Sequence, residues 1–229
     1  ADFTFYGGLY RNVNLITVPE THFDLDYYGA PGLAYTAKTE GETAAVSLKA
    51  WVTAPETGDS VCFTILDSQG ITAAQGYTPA EACSSTVLCL TSPHVWQGVL
   101  DPYLYTVRAE LVRRNERIDC VNVKMGIREF SVDPEKGFLL NGIPTPLRGV
   151  SRHQDRLGVG SALTREQNLE DAELIREIGA NTVRLAHYQH SQDFYEACDA
   201  MGFVVWAEIP FISRMSGNQI GRASCRERV

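Results

Sequence analysis

The chain has 229 residues, a formal net charge of -8, and 44% hydrophobic and 21% charged residues, ordinary proportions for a folded protein of one or two domains. The acidic balance supplies no basic stripe, so neither nucleic acid nor an anionic membrane surface is an expected partner, and a neutral or polar substrate fits better. No apolar run approaches the ~20 residues that cross a bilayer as a helix.

Residues 1–20 carry Phe3 and Phe5, then Gly7 and Gly8, then Tyr10, Val13, Leu15 and Ile16, and read as the tail of a β domain. The first residue is Ala1, not Met, which leaves room for a preceding signal peptide; localisation stays open, with the cytoplasm favoured. From 22 to 127 the pattern is all β. Val46, Leu48, Ala50 and Val52 alternate with Ser47, Lys49, Trp51 and Thr53, as in a strand with one buried face. Val61, Phe63 and Ile65 lead to a turn over 67–70, and Tyr105, Val107 and Ala109 precede a charged hairpin tip over 113–117 before Val121 and Val123 return. Short strands with regular turns across 21–130 predict an immunoglobulin-like β-sandwich. The Asn115–Glu116 dipeptide in the hairpin tip is accounted for by turn chemistry.

From Phe138 the signature changes. Leu139, Leu140, Asn141, Gly142 and Ile143 predict a tight hairpin with an Asn-Gly turn. A strand follows over 146–151, then a helix opened by the capping-box pair Thr164 and Gln167, with Leu169, Ala172, Ile175 and Ile178 as its apolar stripe and Gly179 as its stop. A second strand is expected over 182–186. Ser191 caps the next helix, whose buried stripe is Phe194, Tyr195 and Cys198, and Gly202 ends it ahead of a third strand over 203–207. Two consecutive βαβ units require a parallel sheet, and ligands of such sheets bind beyond the carboxyl ends of the strands.

The strand ends carry the candidate site. His153 and Asp155 follow the first strand, His187 the second and Glu208 the third. A neutral imidazole donates and accepts, which suits a ligand hydroxyl. Arg184, in mid-strand, is expected to pair with a carboxylate such as Glu208 and hold it ionised. Arg152 is a second supporting cation, and Trp206 either stacks on the flat face of a ligand or fills core.

The segment with Asn181, Arg184, His187, Tyr188, Phe194, Tyr195, Asp199 and Gly202, followed by Phe203 to Trp206, is similar to the signature of glycoside hydrolase family 2. Arg148, Gly149, Val150, Arg152, His153, Gln154 and Asp155 resemble the family's first barrel strand. Gly7, Gly8, Tyr10 and Arg11 resemble the close of its N-terminal jelly-roll domain, and Trp96 with Asp101 to Tyr105 its immunoglobulin-like domain. Leu185 and Gln189 depart from the pattern, which has a small residue and Pro there.

The resemblance implies a multidomain protein of β plus α/β class. Its parts would be a jelly-roll end (1–20), a sandwich (21–130), and the first three βα elements of a truncated TIM (β/α)8 barrel (131–219). It further implies a retaining β-glycosidase of β-galactosidase type, acting on β-linked glycosides or oligosaccharides; whether the full-length protein is a homo-oligomer stays open. Neither glutamate of its catalytic pair has a match here: a barrel takes about 250 residues, and 146–219 offers about 70. The 229-residue piece is therefore expected to be inactive. No cofactor is expected, and no magnesium site, because Phe211, Ile212 and Ser213 stand where some members carry a Glu and a His. A non-catalytic carbohydrate-binding or scaffold protein, and an unrelated β/α-barrel hydrolase, are the competing readings.

The last ten residues, 220–229, resemble a translated sequencing adapter and are expected to be a non-native tail. Six cysteines without CxxC spacing argue for ordinary thiols; whether Cys83 and Cys89 are joined is open.

Overall fold

A computed structural model describes residues 6–27 and 29–208. Phe3, Phe5, Phe211, Ile212, Ser213 and the 220–229 segment lie outside the described residues. Residues 6–21 contain neither helix nor strand, and Leu9, Val13, Leu15 and Ile16 are exposed, so the β character expected of this stretch is not seen in its described part.

The sandwich is built from β1 (His22–Phe23), β2 (Leu33–Glu40), β3 (Thr43–Thr53), β4 (Ser60–Leu66), β5 (Thr72–Pro79), β6 (Cys83–Thr91), β7 (Tyr105–Arg113) and β8 (Glu116–Met125). In one antiparallel sheet β1, β2 and β6 all pair with β3; the other has the order β5-β4-β7-β8. The alternation in β3 does what its period dictates: Val46, Leu48 and Ala50 are fully buried and face Val61, Phe63, Ile65, Val107 and Leu111 of the other sheet. The β7–β8 tip is a two-residue turn with φ of 50° at Arg114 and 66° at Asn115, as a type I′ turn requires, so Asn115–Glu116 is turn and strand start. The pairing also decides the cysteine question. Cys83 and Cys89 share strand β6, which at ~3.3 Å per residue separates them by about 20 Å, far beyond disulfide reach. All cysteines of the described residues are free thiols.

A small antiparallel sheet follows, β9 (Phe130–Asp133), β10 (Gly137–Leu140) and β11 (Ile143–Pro144), its second turn made by Asn141 and Gly142 with φ of 50° and 76°. Next come β12 (Gly149–Arg152), α1 (Arg165–Glu177), β13 (Thr182–Leu185), α2 (Gln192–Met201) and β14 (Val204–Ala207). The three strands form a parallel sheet in the order β12-β13-β14. Strand β12 begins three residues later than its sequence suggests, because Pro146 has no N–H and the Arg148 N–H is taken by the Asn181 side chain at 2.7 Å.

Both helices have the expected ends. Thr164 and Gln167 form the reciprocal capping box. Past α1, Gly179 at φ 80° donates to Arg176 O and Ala180 to Ile175 O, a Schellman closure. Ile178 is the exception to the apolar stripe: it is the C-cap and is 68% exposed, since the chain has already turned out of the helix there. Ala172, Ile175, Phe194, Ala197 and Cys198 pack on Val183, Leu185 and Phe203 to make the second core.

The sandwich docks on the end of α2. Trp96 Nε1 donates to Asp199 O at 2.9 Å, satisfying one of the carbonyls that a helix leaves open at its C-terminus, and the Arg128 guanidinium lies over the indole at 4.9 Å. Gly98 and Gly202 touch backbone to backbone: a Cβ on Gly202 would sit 2.2 Å from Gly98 O. Gly202 also holds φ 84°. Gly179→Ala, with the same positive φ but open space around it, is expected to cost about 1 kcal/mol. Gly202→Ala is expected to cost roughly 1–3 kcal/mol more, read as the difference in urea midpoints, because it also forces the two domains apart. Equal costs would mean that the docking contributes nothing to stability.

Candidate functional site

Face alternation sorts the side chains of the parallel sheet. Val183 and Leu185 are fully buried against the helices, so Arg184 between them points to the opposite face. Register sets Ser151, Arg184 and Trp206 in one row across the three strands. Arg184 Nη1 reaches Ser151 Oγ at 3.3 Å, and Trp206, 67% exposed, flanks the row on the other side.

One step beyond the strand ends, Glu208 accepts from Arg184 Nε at 2.7 Å, and its second oxygen is 2.9 Å from His187 Nδ1. Burial alone pushes the Glu208 carboxyl up; the hydrogen bonds from Arg184 and His187 outweigh it and hold the group below the ordinary carboxylate range. The His153 ring stands edge-on to His187 with centroids 5.2 Å apart, and the Tyr188 hydroxyl, which accepts from Gln154 N at 3.0 Å, lies 3.5 Å from His153 Nδ1. His153, His187, Glu208, Arg184 and Tyr188 are thus one contiguous cluster. Asp155 is exposed, and among the described residues none hydrogen-bonds its carboxylate.

Arg152 goes elsewhere. It sits at an odd step from Ser151, so it faces the helix layer, where its buried guanidinium meets Asp171 Oδ2 at 2.6 Å, Asn168 Oδ1 at 3.0 Å and His190 Nδ1 at 3.1 Å, and lies 3.9 Å over the Phe194 ring. Burial lowers its pKa and Asp171 opposes the shift, so the charge is kept as part of a closed pair. Sequence reasoning passed over His190, Asn168 and Asp171, because an acid or imidazole on a helix face looks the same in sequence whether it meets solvent or a strand-borne cation. It also missed a strap from the N-terminal stretch: Arg11 hydrogen-bonds Gln189 O, and the Tyr6 ring lies 2.9 Å from where a Cβ on Gly160 would stand, pinning the loops after β12 and β13.

Comparisons with known proteins fit this arrangement. Residues 33–128 match the family model described as Glycosyl hydrolases family 2, and residues 132–228 the one described as Glycosyl hydrolases family 2, TIM barrel domain. A beta-glucuronidase of Bacteroides fragilis is 36% identical over 222 residues, covering 92% of this chain and 32% of its own length. A beta-galactosidase of Thermoanaerobacter pseudethanolicus is 29% identical over 214 residues, covering 91% of this chain and 28% of its own. Among solved structures, an FMN-binding beta-glucuronidase from Facaelibacterium prausnitzii L2-6 superposes with a TM-score of 0.89 at 51% identity, over 92% of this chain and 33% of that one. A Bacteroides uniformis beta-glucuronidase gives 0.86 at 33% identity, over 96% and 28%. The chain therefore spans 27% to 32% of the length of the first curated relatives it matches.

His190 gives the site a pH signature. It is 1% exposed, and burial pushes its imidazole down to about 4, with the nearby Arg152 charge adding to the shift. An unfolded histidine binds its proton near 6.5. Between about 6.5 and 4 the unfolded chain holds a proton that the folded one lacks, so stability falls as the solution is acidified through that window, by on the order of 3 kcal/mol. His190→Gln removes the titrating group. The stability advantage of the wild type over this variant is expected to be largest at pH 7 and to shrink by ~2 kcal/mol by pH 4.5, as read by urea denaturation. A difference that stays constant with pH would remove His190 as the cause.

Proposed function

The chain belongs to glycosyl hydrolases family 2, and from that premise we propose that it forms the sandwich domain and the opening strands of the barrel of a retaining β-glycosidase that acts on β-glucuronides. The sequence alone favours a β-galactosidase. The relatives move the balance, since the first curated one and the 51% identical solved structure are both named for glucuronidase, while the named galactosidase stands at 29%.

The observation that carries the reading is the cluster at the carboxyl ends of three parallel strands, the edge where α/β sheets bind ligands. In this reading His153 and His187 hydrogen-bond sugar hydroxyls, Trp206 offers an apolar face to the ring, and Asp155 accepts from a hydroxyl at the rim. Arg184 keeps Glu208 anionic, so the carboxylate accepts hydrogen bonds and gives up no proton. A retaining enzyme also needs two carboxyls about 5–5.5 Å apart, one as nucleophile and one as acid and then base. Those two groups match no position in this chain, and hydrolysis is a proposal for the whole protein.

The whole protein is expected to cleave nitrophenyl β-glucuronide with a kcat/KM more than about tenfold above that for the β-galactoside or β-mannoside, a gap of ~1.4 kcal/mol. The 229-residue polypeptide should cleave none of them. In the whole protein His187→Ala should lower kcat/KM by roughly 10- to 100-fold, the loss of a hydrogen bond or two in a desolvated site. Preference for the galactoside would restore the first expectation, and sugar binding without turnover would leave a carbohydrate-binding module.

A further inference from the structure

The two helices behind the parallel sheet begin alike, with one difference. The N-cap residue of a helix has a backbone N–H with no partner inside the helix, and a capping box satisfies it with a side-chain acceptor three residues on. In α1 that acceptor is Gln167, whose Oε1 takes the Thr164 N–H at 3.0 Å. In α2 the corresponding position is Phe194, which has no acceptor to offer. The Ser191 N–H donates instead to Gln154 Oε1 at 2.5 Å, a side chain from the loop that follows β12.

Gln154 is 2% exposed, and main chain holds its amide at both ends. Oε1 accepts from Ser191 N and Nε2 donates to Ser161 O at 3.4 Å. A backbone N–H only donates and a backbone carbonyl only accepts, so these two partners fix which way round the amide stands. Its own N–H makes a third bond, to the Tyr188 hydroxyl at 3.0 Å. Ser161 lies in the loop between β12 and α1, directly after the bridge that pairs Arg156 with Gly160, whereas Tyr188 and Ser191 lie between β13 and α2. One buried residue thus grips both loops. His153, its neighbour in sequence, heads the first loop, and His187 stands in the second.

We propose that Gln154 is a positioning residue: it completes the capping box of α2 from another loop, and so locks the loop that carries His153 to the loop that carries His187. The consequence for the sugar rests on the functional reading above; the lock does not. Gln154→Met keeps the length of the side chain and loses both amide bonds. Gln154→Asn keeps the amide but is one methylene too short to reach both partners.

The lock is tested in the labelled 229-residue polypeptide. A through-hydrogen-bond correlation is expected between the Ser191 amide nitrogen and the Gln154 side-chain carbonyl carbon, and its absence in the folded wild type overturns the proposal. In Gln154→Met the amides of Ser191 and Gly160, one in each loop, should both exchange with solvent more than roughly tenfold faster, while Val204, bonded to Asn181 O in the sheet, keeps its rate. Acceleration of Ser191 alone, or of neither, overturns the lock; so does equal acceleration of all three, which is general destabilisation. If Gln154→Met fails to fold, Gln154→Asn is read by the same three amides.

The positioning part is tested in the whole protein with nitrophenyl β-glucuronide. Gln154→Met should lower kcat/KM about tenfold in the wild type and less than about threefold in a His153→Ala background, because a residue that acts through His153 has little left to act on once His153 is gone. Equal losses in both backgrounds, or none in the wild type, overturn it. A fully active His153→Ala variant contradicts the functional reading instead, and the correlation and exchange rates, measured without sugar, then decide the lock by themselves.

Discussion

Gly149, Thr182 and Val204 stand side by side across the parallel sheet, and that common starting line sets where each strand ends. Asn181 draws the line. Its side chain bonds Arg148 N at 2.7 Å and Pro146 O at 2.9 Å, its own N–H donates to Arg148 O, and its carbonyl accepts from Val204 N. Gly149 lets the first two strands come that close, since a Cβ there would fall 2.0 Å from Thr182 O. Four-residue strands that begin in step also finish in step, and so two imidazoles and a carboxylate reach the same rim.

The strands also divide their charges between two faces. Arg152 sends its cation into the helix layer, where Asp171 and Asn168 on α1 and His190 ahead of α2 receive it. Arg184, one strand over and on the other face, sends its cation to Glu208. The buried Arg152 cation would be costly without its acid, and that pair locks both helices to the sheet, while the half-exposed Arg184 sets the ionisation of Glu208 at the strand ends. The sandwich supports the same edge from outside. Its Trp96 and Gly98 hold the C-terminal end of α2, which leads directly into β14 and Glu208.

Period and punctuation made much of this legible in the sequence. The βαβ order, both helix caps, the Asn-Gly hairpin and the β3 alternation follow from local rules, and the Arg184–Glu208 pair was expected from a cation in mid-strand. What escaped depends on contacts distant in sequence. Nothing in residues 6–21 shows that Tyr6 and Arg11 lie against loops 150 or more positions away. Arg152 and Arg184 look alike in sequence, and only the register that puts them on opposite faces tells them apart. Likewise Cys83 and Cys89 are near in sequence but far apart along one extended strand.

Central to the account is that these strand ends form one sugar-sized recognition surface. A crystal structure of the whole protein with an uncleaved β-glucuronide analogue tests it most directly. The predicted result is a pyranose ring with its hydroxyls in hydrogen-bond range of His153 and His187, and with Trp206 along one face. A ring bound away from these side chains, with the cluster unchanged and untouched, would contradict it.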